Sequence, residues 1–459
     1  MFAPTPRGAP TRTASVCASP ARSRLVAVRG ARCPIGTTEL TGVVGVNVFD
    51  ALWCTSDGMR SPCNHADVRA SLRFLAASGL HFFRFFASLY GASHVYWLLQ
   101  PSRYWAEFDR LMDDVEALGL HVVPSIGAES WHDVANKWIN ASHNGNSSSA
   151  MARVRSPRRA ETVNDLVTDG SSLARALARR YADELVRRYR HRPSVLFWEL
   201  GNELNLKPNM ANQCGLGAAG DRGPAARCFN TSALVEYTRD LAGVVRSADK
   251  VRPISSGFGA TRPTAWHQER CHREKRAGAC AAGGESATDS IEQWQQMVVW
   301  QNEAVDIASL HVYAGSKGCW FGRGRTGCYR QGNVSLVEAA AAAAASVGKP
   351  LYVGEFGGAP PNFTGPSAEH QAFPEAVLRW QVATSAERRR RDPVPNAVPR
   401  TLTSLWGWMC PAKRATMRCI WPNASSPLGG PRSRGWHAGE EGSDRMLGLL
   451  QWANRRLGG

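Results

Sequence analysis

The sequence predicts an α/β fold, a (β/α)8 TIM barrel with long βα loops that are closed by disulfides. Eight short apolar runs alternate with helical patterns rich in Ala, Leu and Arg. Continuous apolar strands between helices indicate a parallel sheet that is covered on both faces. Two of the runs end in a glutamate, and five local cysteine pairs follow runs in Gly-rich and polar segments.

The apolar runs span residues 41–48, 80–86, 120–126, 195–200, 251–257, 306–312, 350–356 and 401–408. Helical patterns lie between them at 67–78, 104–118, 172–189, 233–248 and 336–347. Eight βα units over about 410 residues fit a barrel with enlarged loops, since about 250 residues is typical. A doubly wound open sheet is the alternative, but no G-x-G-x-x-G follows the first run to support a dinucleotide site.

The chain has 459 residues, of which 43% are apolar and 20% charged, so it can bury a sizeable core. Residues 1–40 are rich in Arg, Pro and Ser and lack the apolar core of a signal peptide. We expect a disordered or targeting segment at 1–40, with the true start upstream of Met1, and a single barrel domain at 41–459. No segment reaches 18 apolar residues, so we expect no transmembrane helix.

Five cysteine pairs lie in predicted βα loops: Cys54/Cys63, Cys271/Cys280, Cys319/Cys328 and Cys410/Cys419, each nine residues apart, and Cys214/Cys228, fourteen apart. Zinc sites usually have two or three residues between paired ligands, so short disulfide loops are the simpler interpretation. Cys17 and Cys33 are a sixth candidate pair. Six N-x-S/T sequons occur, at Asn140, Asn146, Asn230, Asn333, Asn362 and Asn423. Paired cysteines and sequons together predict a secreted protein.

The net charge of +17 raises the possibility of an acidic partner. The 48 Arg residues are scattered along the whole chain, with short runs at 158–159 and 388–391, and are not interleaved with aromatic residues as a base-stacking surface requires. We therefore expect no nucleic-acid partner. A basic protein that binds acidic polymers remains an alternative, and it predicts charge clustered on one face and binding that weakens steeply with salt.

Two carboxylates carry the predicted chemistry. The fourth run is followed by Asn202-Glu203, and the seventh run, in Leu351-Tyr-Val-Gly-Glu-Phe-Gly357, carries Glu355 near its end. Barrel enzymes keep catalytic groups at the carboxyl ends of their strands, so the two glutamates should face one another across the mouth. Cleavage of a glycosidic bond uses such a pair, about 5–5.5 Å apart when configuration is retained.

The motif W-E-L-G-N-E at the fourth run is similar to the strand 4 motif of glycoside hydrolase clan A, and V-G-E-F-G is similar to its nucleophile motif. Over about residues 41–455 the chain resembles family 5 of that clan, the cellulase and β-mannanase family. The resemblance implies that Glu203 is the general acid/base and Glu355 the nucleophile. It also implies that Asn202 holds the sugar 2-hydroxyl.

The same resemblance assigns five further residues. Arg84, in His81-Phe-Phe-Arg-Phe-Phe86, matches the arginine that braces the nucleophile. His311 and Tyr313 match the strand 6 His-x-Tyr, whose tyrosine contacts the nucleophile; their spacing of two places them on one strand face. Trp406 matches the tryptophan that forms the floor for the sugar, with Trp408 as the alternative.

Two positions need separate interpretation. After the third run the family often has His or Asn, whereas this chain offers Glu129, Trp131 or His132, and the occupant stays open. Glu199 lies inside the fourth run, so we expect it to pair with a barrel arginine rather than to act as the acid.

The sequence thus predicts a retaining β-glycoside hydrolase that acts on a β-1,4-linked polysaccharide, as an endo-β-1,4-mannanase or a cellulase-like enzyme. Alternatives are a catalytically weak carbohydrate-binding barrel and a transglycosylase. We expect a monomer with a polysaccharide or oligosaccharide partner and without metal, organic cofactor or membrane contact. Glu355 should be held ionised by Arg84 and Tyr313, and its charge should raise the pKa of Glu203.

Overall fold

The computed structural model describes residues 15–18, 25–28, 44–56, 63–89, 91–127, 130–143, 160–210, 228–274, 287–313, 319–324, 327–330, 332–357, 368–391, 401–405, 409–410, 436–437 and 443–457. Much of this part of the chain forms an eight-stranded sheet and the helices that pack against it. Three short two-stranded ladders, 15–18 with 25–28, 323–324 with 327–328, and 409–410 with 436–437, lie outside that sheet.

All eight strands of the main sheet pair in parallel. They are β1 (Val44–Asn47), β2 (Phe82–Phe86), β3 (His121–Ser125), β4 (Trp198–Glu199), β5 (Ile254–Ser255), β6 (Ala308–Tyr313), β7 (Leu351–Gly357) and β8 (Thr401–Leu405). Each lies within or next to one of the eight predicted apolar runs. The fourth and fifth are shorter than predicted, and Val195 contributes only an isolated bridge to Val122.

Helices connect and cover the strands: α1 (Ala51–Thr55), α2 (His65–Ala77), α3 (Tyr96–Leu99), α4 (Pro101–Ala117), α5 (Trp131–His143), α6 (Val163–Thr168), α7 (Leu173–Tyr189), α8 (Thr231–Ala248), α9 (Ala265–Glu274), α10 (Ile291–Gln301), α11 (Val334–Ser346), α12 (Ala368–Arg391) and α13 (Ser443–Leu457). Gly91–Val95 and Leu204–Leu206 are 3-10 turns. The five predicted helices begin two to three residues earlier than predicted or one residue later. Polar side chains such as Asn64 and Asn230 cap four of them, and α4 begins at Pro101, a residue suited to the first turn.

The strand order in the sheet is β5-β4-β3-β2-β1-β8-β7-β6. The two edge strands of this order, β5 and β6, are also near one another. Ser255 of β5 forms a parallel bridge with Ile307, the residue before β6, and the amide of Ile307 donates to the carbonyl of Ile254. The carboxyl ends of all eight strands lie at the same end of the sheet, as parallel pairing requires.

Strand β2 shows how alternation organises the interior. Phe83 and Phe85 belong to the large core between sheet and helices. Phe82, on the opposite face, joins a second buried cluster with Phe197 and Tyr352, whose rings meet edge to face at 5.1 Å. Arg84 shares the face of Phe82 because side chains two apart point the same way. The inner face therefore has an apolar layer, and a charged layer follows it toward the carboxyl ends.

One predicted disulfide is described in full: Cys54 and Cys63 are bonded, with their Cα atoms 5.1 Å apart, and close the loop after β1. Cys228, Cys271 and Cys319 are also disulfide-bonded. Cys33, Cys214, Cys280 and Cys419 lie outside the described residues, and every pairing other than Cys54–Cys63, including Cys319/Cys328, stays a prediction. None of the described helices has the length and hydropathy needed to cross a bilayer.

Described arginines on the outer helix α7 and in the turn after it pair with carboxylates of neighbouring helices. Arg175 Nε lies 2.9 Å from Asp240 Oδ2, and Arg192 Nη1 lies 2.7 Å from Glu116 Oε2. Such partly exposed pairs contribute little stability, but they place acidic groups among the basic ones. Around this helix the arginines therefore do not form an uninterrupted positively charged surface.

Candidate active site

The two predicted glutamates lie together at the carboxyl ends of β4 and β7. Carboxylate oxygens of Glu203 and Glu355 and a ring nitrogen of His311 all come within 4.8 Å of one another. The Glu203 side chain is 26% exposed, whereas that of Glu355 is 6% exposed. One carboxyl is therefore open to an incoming molecule, and the other is held deeper in the protein.

Arg84 connects the strand ends beneath this pair and has no exposed surface. Its Nη1 donates to Glu355 Oε1 at 2.7 Å, and its Nε donates to Glu199 Oε1 at 2.6 Å. Its Nη2 donates to Asn202 Oδ1 at 2.9 Å. The expectation that Glu199 pairs with a barrel arginine is confirmed. Two carboxylates offset the cost of burying the guanidinium, and their charges raise its pKa.

His311 and Tyr313 contact the glutamates from β6, on one strand face as predicted. Tyr313 Oη donates to Glu355 Oε2. His311 Nδ1 lies 3.2 Å from Glu203 Oε1 and 3.4 Å from Glu355 Oε1. Burial lowers the pKa of His311 to about 4, with the nearby Glu355 opposing that effect and Arg84 adding to it. The ring is neutral at neutral pH, and Nδ1 lies between the two carboxyls, where it donates or accepts according to the tautomer.

A β-bulge aims Glu355 into the site. Tyr352 of β7 faces the inner apolar cluster, and strict alternation would then turn Glu355, three residues later, outward. The pairing register with β6 shifts between Val353 and Glu355, which restores the inward direction. The residue at this register shift is Gly354. A side chain would not fit there, because a Cβ would lie 2.8 Å from His311 Nε2.

Glu203 has a left-handed backbone, with φ of 54°, an uncommon conformation for a residue with a side chain. Its amide donates at 2.8 Å to the carbonyl of Gly257, two residues after β5. Gly257 has φ of +73°, and a Cβ on it would lie 1.8 Å from the carbonyl oxygen of Gly201. The backbones of the loops after β4 and β5 are thus in direct contact, which leaves no room for a side chain at Gly257.

We expect Gly257→Ala to lower the melting temperature by more than Gly79→Ala does. Gly79 has nearly the same φ, +70°, but nothing lies within 4 Å of its Cβ position, so its variant isolates the conformational cost of about 1–2 kcal/mol. Gly257→Ala adds a clash with backbone that no rotamer relieves. Thermal unfolding of both variants measures the difference, and equal shifts would show that the loops do not meet as described.

Burial raises the pKa of both catalytic candidates above the ordinary value of 4.5. For Glu203, Arg84 opposes burial; for Glu355, His311 and Arg84 oppose it, and Glu203 and Glu199 add to it. The predicted direction for Glu203 is right, but its main cause is burial rather than the charge of Glu355. Arg84 lowers the pKa of Glu355, as expected of a group that holds it ionised, but desolvation of so buried a carboxyl outweighs the arginine and the net direction is upward.

When Glu203 and Glu355 share one proton, one of the two carboxyls nevertheless holds it preferentially. Glu355 accepts from Arg84 and Tyr313, two donors that stabilise its ionised form. The described contact of the Glu203 carboxyl is with His311 Nδ1, which donates or accepts according to the tautomer. Two carboxyls this close titrate as a pair, and the single-proton state is best with Glu203 protonated and Glu355 ionised.

Glu203, His311 and Glu355 could also hold a metal ion by geometry alone. Arg84 already neutralises Glu355 at 2.7 Å, and a cation placed between the glutamates would be repelled by it. The arrangement suits proton transfer better than metal binding.

Trp406, Trp408 and Glu129 lie outside the described residues, so their predicted roles stay predictions. Trp131 is 3% exposed and packs against His94 with ring centroids 5.1 Å apart, which makes it a core residue rather than a sugar platform. The side chain of His132 is 25% exposed and has Asp133 within 3.6 Å.

The sequence reasoning missed Asn47, at the end of β1. It is fully buried, its Nδ2 donates to the carbonyl of Gly354 at 3.0 Å, and its Oδ1 accepts from Arg84 at 3.2 Å. Asn47 therefore ties the bulge of β7 to the arginine. A polar residue two positions after Gly45 in an otherwise apolar run was the available signal.

Comparison with known proteins gives a likeness of structure alone. The chain is similar to a glycoside hydrolase family 5 mannosidase from Rhizomucor miehei, with 12% identity, 97% of this chain and 98% of that chain covered, and a TM-score of 0.56. It is similar to an endo-β-1,4-mannanase from Thermotoga petrophila, with 13% identity, 92% and 78% covered, and a TM-score of 0.52. It is also similar to an exo-β-1,4-mannosidase from the Opitutaceae bacterium strain TAV5, with 14% identity, 90% and 60% covered, and a TM-score of 0.51.

No protein-family model matches the chain, and no curated protein matches it in sequence. At 12–14% identity the structural likeness establishes a shared fold, that of family 5 glycoside hydrolases.

Proposed function

We propose that this chain, which shares its fold with mannanases and mannosidases of glycoside hydrolase family 5, is itself a retaining β-glycoside hydrolase of that family. The observation that carries the proposal is the pair Glu203 and Glu355, with carboxylate oxygens within 4.8 Å of one another. Inverting enzymes keep their carboxyls about 6.5–9.5 Å apart to admit a water, whereas retaining enzymes keep them about 5–5.5 Å apart. The separation supports a double displacement.

In the first step, an oxygen of ionised Glu355 attacks the anomeric carbon, and the bond from that carbon to the leaving oxygen breaks. Glu203 gives its proton to the leaving oxygen, so the departing sugar carries a hydroxyl. Arg84 and Tyr313 hold Glu355 in place for the attack. The product is a glycosyl ester on Glu355 and an ionised Glu203.

In the second step, ionised Glu203 takes a proton from water while the water oxygen attacks the anomeric carbon. The ester bond breaks, Glu355 regains its charge, and Glu203 is protonated again. Because Asn202 accepts from Arg84 through Oδ1, its Nδ2 is oriented to donate to the sugar 2-hydroxyl. The rate should follow a bell-shaped pH profile set by the two ionisations of the pair.

We propose a β-1,4-linked mannan or glucomannan as the substrate, with cellulose as the second choice. Support comes from the fold, since the proteins named above are a mannosidase, an endo-β-1,4-mannanase and an exo-β-1,4-mannosidase. We further propose that the parallel sheet closes into a barrel at the Ser255–Ile307 bridge. We also propose that residues 41–459 form one catalytic domain and that the protein is secreted. Trp406 or Trp408 is proposed to stack beneath the bound sugar.

A substrate screen tests it. We expect purified, glycosylated protein to release reducing ends from mannan and glucomannan, less from carboxymethyl-cellulose, and none from xylan. Glu355→Ala, purified in parallel, controls for host enzymes because it should release none. Absence of release from mannan, glucomannan and carboxymethyl-cellulose would contradict the proposed function.

A further inference from the structure

Asn205, two residues after Glu203, makes an unusual contact with the neighbouring loop. It is 2% exposed, and its side chain pairs with the backbone of Gly259 in both directions. Nδ2 donates to the Gly259 carbonyl at 2.8 Å, and Oδ1 accepts from the Gly259 amide at 2.9 Å. A carboxamide offers a donor and an acceptor at this spacing, which an ionised carboxylate does not. Nδ2 also donates to Gln301 Oε1 at 3.1 Å, so a second partner holds the Asn205 carboxamide in this orientation.

Gly259 in turn lies against the carboxyl of Glu203. A Cβ on Gly259 would lie 3.1 Å from Glu203 Oε1 and 3.5 Å from its carboxyl carbon. The next residue, Ala260, donates its amide to the carbonyl of His311 at 2.9 Å, and the His311 ring contacts the same Oε1. The Gly259 backbone and the His311 ring therefore both border the Glu203 carboxyl.

We propose that Asn205 is a positioning residue for the general acid: it fixes the Gly259 backbone beside Glu203 Oε1 and so holds the carboxyl where it can protonate the leaving oxygen. This inference rests on the proposed function of Glu203. The titratable and charged groups that face Glu203 are His311 from β6, Glu355 from β7 and Arg84 from β2. Asn205 acts through a neutral contact that these groups do not supply.

Asn205→Ala should slow the reaction only where the leaving group needs a proton. A displaced catalytic group can lose about 10²-fold, and general acid catalysis itself contributes about 10²–10⁴-fold. We expect kcat/KM per folded protein to fall about 10²-fold on phenyl β-mannobioside and to stay within about threefold on the 2,4-dinitrophenyl analogue, whose leaving group needs no proton.

The chain offers a matched control. Asn454 of α13 makes the same two-way pairing with Val44, at 2.7 and 3.1 Å, at the amino end of β1 and thus away from the catalytic carboxyl ends. Asn454→Ala removes the same two-way pairing with a backbone, without the third bond that Asn205 makes with Gln301, and should leave both kcat/KM values unchanged. Gly259→Ala tests the contact from its other side, because the added methyl presses on Glu203 directly, and it should show the same split between leaving groups.

A second measurement does not depend on activity. The Glu203 carboxyl signal in ¹³C NMR is identified by its loss in Glu203→Gln. Its titration midpoint should fall in Asn205→Ala, because a displaced Gly259 backbone lets more water reach a carboxyl that is now only partly exposed. An unchanged midpoint, or equal losses on both mannobiosides, would overturn the positioning role and leave a purely structural one. Failure of the wild type on both mannobiosides would count against the proposed function instead, and the midpoint would still decide the role of Asn205.

Discussion

Glu355→Ala is expected to abolish turnover of every substrate, with a loss on the order of 10⁶-fold, the size seen when a hydrolase loses its nucleophile. Glu203→Ala should behave differently. Without a general acid, kcat/KM should fall by about 10²–10⁴-fold on substrates with poor leaving groups. On dinitrophenyl glycosides the covalent intermediate should still form, and a burst of dinitrophenol should precede slow turnover.

Azide separates the two roles by product configuration. In Glu203→Ala it should attack the covalent intermediate from the open face and give a β-azide. In Glu355→Ala it should displace the leaving group directly and give an α-azide. The exposures agree with this assignment, since Glu203 is open at 26% and Glu355 is held at 6%. An α-azide from Glu203→Ala would reverse the two assignments.

Arg84→Met is expected to have the second largest effect, on both stability and catalysis. It leaves the buried carboxylates of Glu199 and Glu355 without their cation, which typically costs about 3–5 kcal/mol. Loss of a nearby arginine should also raise the pKa of Glu355 by about 1–3 units. Since ionised Glu355 is the active form, the acid limb of the kcat/KM profile should move to higher pH.

Arg252→Met is the matched control. Arg252 is 1% exposed, pairs with Asp249 at 3.0 Å and donates to the carbonyl of Val195 at 2.8 Å, near the amino ends of β4 and β5. Both variants should lose stability in thermal unfolding, but only Arg84→Met should shift the acid limb. An acid limb that stays in place in Arg84→Met would show that the arginine does not support the nucleophile.

The elements that could be predicted from the sequence are those with local signals. Eight apolar runs separated by helical patterns indicate strands without knowledge of their partners, because burial on both faces leaves a continuous apolar segment. Glu203 and Glu355 stand out as carboxylates that end such runs, and Arg84 as a charge inside one. The resemblance to family 5 then supplied their roles, which local patterns alone do not.

What could not be predicted depends on contacts between distant segments. The inward direction of Glu355 requires the bulge at Gly354, and that glycine is explained by a ring on another strand, His311. The pairing of Asn205 with Gly259 joins residues 54 apart in sequence. The net direction of the Glu355 pKa depends on how completely the fold buries it, and the sequence shows its charged neighbours but not its burial.

Product stereochemistry tests the central claim most directly. Hydrolysis of a β-1,4-linked manno-oligosaccharide can be followed by proton NMR, which resolves the α- and β-anomers of the new reducing end before they equilibrate. A double displacement through Glu355 predicts that the β-anomer appears first. Immediate release of the α-anomer would mean inversion, and the assignment of Glu355 as nucleophile would be wrong.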